Sequence, residues 1–191
     1  MKELRKISQK ELREILELHK LWLETDGEEG ARADLSYYDL RNADLRYADL
    51  RYADLFNTNL FNTNLSYCNL SYANLNKANL SCADLNNADL FNTNLSYCNL
   101  RYANLTNADL SYTELYETNL FYAKVDDMIS IGNVGNENRT VYYCYKDDRG
   151  ICGWFDDTLE EFKKAVKEKY GKDYGSYAIA IEVFEKMKDM K

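Results

Sequence analysis

The chain has 191 residues, with 24 Lys and Arg against 32 Asp and Glu, for a net charge of −8. That balance argues against nucleic acid or an anionic membrane as partner, and no apolar run approaches membrane-spanning length. A single histidine excludes most histidine-based catalysis, and no HxxxH, CxxC, P-loop or dinucleotide glycine pattern is present.

The opening MKELRKISQKELRE lacks an apolar signal core, so a secretory signal is not expected. Residues 8–24 predict an amphipathic helix. Ser8 and Glu11 form a capping box, and Leu12, Ile15, Leu16, His19, Trp22 and Leu23 share one helical side. His19 is read as a packing residue beneath this helix rather than a catalytic one. TDGEEGAR then turns the chain into the region that dominates it.

Residues 33–127 are written in fives. Leu recurs from Leu35 to Leu120 without a miss, and Val125 takes the next turn. A small residue, nearly always Ala, Thr or Cys, stands two places before each Leu, and Asp or Asn, with few exceptions, one place before. Steps of five turn about 140° around a helix, and along a strand they alternate faces. Neither element could bury all these leucines together. The chain must bend every five residues and stack its coils as a solenoid. Leu then fills the axis and the small residue fits beside it. The Asp or Asn bonds the nearby turn, and the two residues after Leu form an outward corner. With no Gly or Pro from 31 to 131, Asn42, Asn57, Asn62, Asn87, Asn92 and Asn107 are expected to adopt positive φ more often than Tyr at equivalent corners. Tyr38, large at an inward position, fits only an end coil.

Runs such as ADLRYADLRYADL and ANLNKANLSCADL resemble the pentapeptide-repeat proteins, with their pattern A(D/N)LXX, over 19 consecutive pentads. The resemblance implies a mainly β fold, a right-handed quadrilateral β-helix with four pentads per coil. The chain then divides into an N-terminal capping helix and linker (1–30), the β-helix (31–127) and a small C-terminal α+β capping module (128–191). Just under five coils at ~4.8 Å give a rod about 23 Å long.

Past residue 127 the grammar changes. Residues 128–134, 140–145 and 151–155 predict three strands. Thr158 with Glu161 caps a helix carrying Leu159, Phe162, Ala165, Val166 and Tyr170, ended by Gly171. A last helix over about 176–189 carries Tyr177, Ala180, Ile181, Phe184 and Met187. The five cysteines show no paired spacing: Cys68 and Cys98 point inward, Cys82 lies at a corner, and Cys144 and Cys152 lie beyond the repeats. A loop centred on Asp148 would set Cys144 opposite Cys152, yet free thiols are expected in a reducing, cytoplasmic compartment.

These observations predict a non-enzymatic bacterial or phage scaffold that binds a protein, with no catalytic, cofactor-binding or metal-binding residues. If coils take 20 residues, Arg41, Phe61, Arg101, Tyr102, Phe121 and Tyr122 fall on one face, and exposed aromatics with Arg are favoured at protein contacts. These six are the candidate partner-binding residues. A monomer is expected, since both solenoid ends look capped. The alternative is a DNA mimic that binds and modulates DNA gyrase or a topoisomerase, as some family members do. Against it, residues 33–127 hold twelve acidic and six basic side chains, whereas ~23 Å of duplex carries about 14 negative charges.

Overall fold

One turn of the solenoid takes 20 residues. The residue before each Leu forms a parallel bridge with its counterpart one coil on, from Asp34–Asp54 to Asn104–Lys124. The computed structural model describes residues 3–125, 128–134, 139–144, 149–152, 155–171, 177, 180–182, 184 and 185. These fall into two compact units, Met1–Asp126 and Asp127–Lys191.

In the first unit the interior pentads repeat one hydrogen-bond scheme. The Leu N–H donates to the next coil, as Leu65 to the Asp84 carbonyl at 2.7 Å, and the preceding Asx N–H donates to the previous coil, as Asn64 to the Ala43 carbonyl at 3.0 Å. A turn closes each corner, with Ala83 N–H donating to the Leu80 carbonyl at 3.0 Å. The Leu side chains from Leu35 to Leu105 are at most 2% exposed, each burial being worth roughly 1.5–3 kcal/mol. Beside them, three buried Thr hydroxyls donate to carbonyls 23 residues earlier, Thr58 to Leu35 at 2.6 Å, Thr63 to Leu40 at 2.9 Å and Thr93 to Leu70 at 2.7 Å, while that of Thr113 donates to the Leu110 carbonyl at 2.7 Å. Cys98 does the same toward Leu75, and burial pushes its thiol up to about 12.

The Asp and Asn before Leu act as expected. Each Oδ1 accepts the N–H two residues on, as in Asp34–Ser36 at 3.0 Å and Asn69–Ser71 at 3.0 Å. The amides also link coils, Asn99 to Asn79 to Asn59 at 3.1 Å each.

The expectation about corner asparagines is overturned. Every second corner residue from Tyr37 to Tyr122 has φ between 51° and 64°, and Tyr, Lys77, Cys82 and Glu117 adopt it as regularly as Asn. Position in the coil decides. The same N–H reaches the next coil, as Tyr37 to the Phe56 carbonyl at 2.9 Å and Asn42 to the Phe61 carbonyl at 3.0 Å, so stacking imposes a conformation that costs a side-chain-bearing residue roughly 1–2 kcal/mol.

The N-terminal segment belongs to this unit. A two-residue strand not foreseen from sequence, β1 (Arg5–Lys6), pairs in parallel with β2 (Tyr38–Asp39). Helix α1 (Gln9–Glu24) follows, with the Ser8 hydroxyl accepting Glu11 N–H at 3.1 Å as the capping box predicts. Tyr38 is 5% exposed, and its hydroxyl donates to Glu11 Oε1 at 3.1 Å. At Gly30, with φ +74°, a Cβ would lie 2.2 Å from the Leu18 carbonyl, whose oxygen accepts Ala31 N–H at 3.0 Å. Only glycine permits that approach.

The second unit holds a four-stranded antiparallel sheet in the order β3 (Met128–Val134), β4 (Arg139–Cys144), β5 (Arg149–Cys152), β6 (Phe155–Thr158), and helix α2 (Leu159–Tyr170). The third expected strand is thus two, β5 and β6 pairing as a hairpin across Cys152 and Phe155. Register also corrects the cysteine geometry. Cys144 lies opposite Arg149, and Tyr142 opposite Ile151, so Cys144 and Cys152 are not a facing pair. The side chains of Cys144 and Cys152 lie outside the described residues. The Thr158 hydroxyl accepts Glu161 N–H at 3.3 Å, and Gly171 ends α2 with φ 62°. Of the helix expected over 176–189, residues 177, 180–182, 184 and 185 are described and all are helical. Val141, Tyr143, Leu159, Phe162, Val166, Tyr177 and Phe184 make this unit's core. Gly150 lies against Phe162, where a Cβ would come within 2.9 Å.

Candidate functional site

A solenoid whose axis is filled with Leu offers chemistry only on its corners and at its ends. One corner is built from the residues after Leu40, Leu60, Leu80, Leu100 and Leu120: Arg41–Asn42, Phe61–Asn62, Ser81–Cys82, Arg101–Tyr102 and Phe121–Tyr122. Backbone bonds stack them in that order, Asn42 on Phe61, Asn62 on Ser81, Cys82 on Arg101 and Tyr102 on Phe121. All six predicted residues therefore share one column, spanning about 19 Å at ~4.8 Å per coil.

Within the column they form two groups, separated by Ser81 and Cys82. At one end Arg41 does not stack on Phe61. Its guanidinium folds back on Asp39 as a bidentate pair, Nε to Oδ1 at 2.8 Å and NH2 to Oδ2 at 2.7 Å. Arg46 grips Asp44 and Arg51 grips Asp49 the same way. The Arg41 and Arg46 hydrogen bonds hold the Asp39 and Asp44 carboxyls below the usual range; burial raises Asp49, but its bonds to Arg51 outweigh it.

At the other end Arg101 meets Asn99 in place of Asp. Its guanidinium lies 5.6 Å from the Tyr102 ring centre and 5.5 Å from that of Phe121. Tyr102 stacks on Tyr122 at 5.2 Å, and Phe121 leans on Tyr122 at 4.0 Å. Phe121 is 45%, Tyr102 54% and Tyr122 64% exposed. The four form a cation–aromatic platform open to solvent.

A second aromatic column escaped the sequence reading. Trp22 of α1 meets Tyr52 edge-on at 6.3 Å, Tyr52 stacks on Tyr72 at 5.0 Å, and Phe91 and Tyr112 continue the run at 5.5 and 5.3 Å. Aromatic residues at corners about 20 apart were the available signal. This column carries no unclamped Arg, since Arg51 is held by Asp49.

His19 is fully buried. Its Nδ1 accepts Ala33 N–H at 3.1 Å, and its ring stacks on Trp22 at 5.8 Å. Burial holds its pKa below 6.5, against the opposing pull of Asp49 and the Arg51 carbonyl. Nε2 nonetheless makes no hydrogen bond. The ring joins helix to first coil. Among the described residues no group of three or more His, Cys, Asp or Glu could hold a metal, and no helix is long and apolar enough to cross a membrane. An open groove of about 480 Å³ runs between α1 and the first coil, lined by Ile7, Leu12, Leu16, Arg41 and Asp44 among others.

Comparison with known proteins gives the column its context. A family model for pentapeptide repeats matches eight copies, over residues 31–60, 58–96 and 88–121. A crystal structure of Rfr23 from the cyanobacterium Cyanothece 51142 is 38% identical, with a TM-score of 0.50, covering 52% of this chain and 69% of that one. HetL from Nostoc sp. strain PCC 7120, a pentapeptide-repeat protein involved in heterocyst differentiation regulation, is 38% identical with a TM-score of 0.47, covering 48% of this chain. The match spans 44% of the length of HetL. The alr5209 protein from Nostoc PCC 7120 is 29% identical with a TM-score of 0.35, covering 58% of this chain and 86% of that one. No curated protein sequence matches the chain. The family match, the five-residue Leu spacing and the bridges between successive coils agree, and over residues 31–121 the chain belongs to the pentapeptide-repeat family, whose members fold as right-handed β-helices.

Proposed function

We propose that this protein is a non-enzymatic scaffold that binds another protein through the corner column bearing Arg41, Phe61, Arg101, Tyr102, Phe121 and Tyr122. The observation that carries this reading is the exposed cation–aromatic platform around Arg101, standing on a Leu-packed rod. Such a face is already rigid, so less entropy is lost on association, and aromatic and Arg side chains dominate binding energy at protein contacts. The rod in this reading has a quadrilateral section, with one corner per pentad. In it the protein is a cytoplasmic monomer, and no cofactor is involved.

DNA mimicry is the weaker reading. A duplex mimic needs an uninterrupted negative surface, whereas Asp39, Asp44 and Asp49 are each closed into a pair with Arg. The field of such pairs fades within a Debye length of about 8 Å at physiological salt.

The test replaces Phe61 and Phe121 with Ser, a residue already present at equivalent corners such as Ser81. The fold is checked by circular dichroism, and partners captured from host extract are compared with those of the unmodified protein. Partners that disappear with the double variant support the reading; an unchanged set removes this face. A gyrase supercoiling assay separates the two functional classes, since only the mimic alters supercoiling.

A further inference from the structure

Three of the four corner arginines are spent on their own pentads, and one is not. Arg41, Arg46 and Arg51 each close on the Asp two residues before them. Arg101 has Asn99 there, whose Oδ1 accepts only the Arg101 backbone N–H at 3.3 Å. Among the described residues the Arg101 guanidinium makes no ion pair and donates no hydrogen bond; its neighbours are the Tyr102 and Phe121 rings. Five N–H donors in a fixed plane are therefore presented unpaired. The positions immediately around it hold no acid, the closest in sequence to the platform being Glu117 and Asp126. Segments 99–104 and 119–124, neighbours on successive coils, contain Arg101 and the exposed Lys124 and no Asp or Glu. The nearest acid on the preceding coil, Asp84, is occupied by the Asn86 N–H at 3.1 Å and the Asn104 amide at 2.9 Å.

We propose that Arg101, Tyr102, Phe121, Tyr122 and Lys124 form a docking site for an acidic peptide segment of a partner protein. The inference rests on the column being the binding face and names the chemistry it recognises. A Glu or Asp carboxylate of the partner accepts two parallel N–H bonds from the Arg101 guanidinium, which the rings hold in place before contact. The partner's apolar side chains cover Tyr122 and Phe121, and Lys124 attracts a second carboxylate. The chain's net charge of −8 does not oppose this at physiological salt, because charges beyond about 8 Å are screened. It does oppose duplex DNA, which brings one charge per ~1.7 Å along its whole length.

The first coil supplies the decisive variant. Asn99→Asp installs the same clamp that holds Arg41, Arg46 and Arg51, and it removes no cation and no aromatic ring. Binding of a fluorescein-labelled deca-glutamate peptide to the full chain is measured by anisotropy at 50 and 150 mM NaCl, with deca-lysine and a ten-nucleotide oligothymidine as competing probes. Expected is binding of deca-glutamate that weakens about ten-fold in both Arg101→Gln and Asn99→Asp, the loss of a charge-assisted contact. Asn94→Asp adds the same charge beside Ser96, where no Arg can be clamped, and is expected to change affinity less than about two-fold. Circular dichroism confirms that each variant is folded. Equal affinity in wild type and Asn99→Asp overturns the proposal, as does absence of deca-glutamate binding or tighter binding of the oligothymidine. If deca-glutamate fails to bind while the Phe61 and Phe121 double variant still loses its host partners, the acidic chemistry is wrong and the face stands. Clamp-sensitive binding with unchanged host partners instead keeps the peptide site and removes the wider column.

Discussion

The first coil and the coils that follow obey one five-residue rule and differ wherever the first coil meets the N-terminal segment. In the interior the inward small position is Ala, Thr or Cys; in the first coil Tyr38 occupies it, with its hydroxyl on Glu11. The first coil runs into three Arg corners, each clamped by its own Asp, whereas Arg101, three coils beyond Arg41, lies against rings. The lesson is that the repeat sets the backbone everywhere, and departures from it set what each end and corner can do.

The largest effect should come from moving the first coil's exception inward. Ala78 occupies the small position in an interior coil and is 1% exposed. Ala78→Tyr should destabilise the chain by more than about 3 kcal/mol, since a closely packed core must open to admit the ring. Urea denaturation measures it, and a small change would mean that interior coils can spread as the first one does.

Acid should act on the first coil through His19. Burial lowers the His19 pKa below 6.5, so on acidification the unfolded chain takes up the proton first. The contribution is complete above about pH 6.5 and declines as pH falls through the lowered folded value, with a slope approaching 1.4 kcal/mol per pH unit. In protonated His19 a second N–H would face the Ala33 N–H. His19→Gln should remove this slope between pH 6.5 and 5; an unchanged slope would assign it to other groups.

Interior coils should show a smaller, salt-independent sensitivity. Thr93→Val keeps the shape but deletes the bond to the Leu70 carbonyl, at an expected cost of about 1 kcal/mol by thermal or urea unfolding. No change would mean that the carbonyl is satisfied by its turn alone.

The smallest stability effect, and the sharpest test of the comparison, is Asp39→Asn. Exposed pairs contribute roughly 0–1 kcal/mol, so stability should barely move. Arg41, released from its clamp beside Phe61, should then take up an arrangement like that of Arg101. A second weak deca-glutamate site, seen as raised stoichiometry, is expected; unchanged stoichiometry would show that release of the guanidinium is insufficient.

Leu every five residues was enough to imply the solenoid, because no helix or single strand can bury that pattern. The capping boxes at Ser8 and Thr158 were equally legible, each being a local bond between residues three apart. So were the Asx turns, which span two. What the linear order could not supply was set across coils or strands. Positive φ at Tyr, Lys77 and Glu117 corners comes from hydrogen bonds to a coil 20 residues away, and overrides the local preference for Asn. Arg41 lies in the predicted column but turns to Asp39, because a carboxylate two residues off competes better for a guanidinium than the face of Phe61. The column of Trp22, Tyr52, Tyr72, Phe91 and Tyr112 required knowing which coil edges the helix meets. Strand register moved Cys144 away from Cys152 for the same reason: pairing is settled by how the sheet closes, and a shift in the turn reassigns every partner. Periodicity alone dictated the repeating core; contacts between distant residues chose the conformation and the chemistry of its surface.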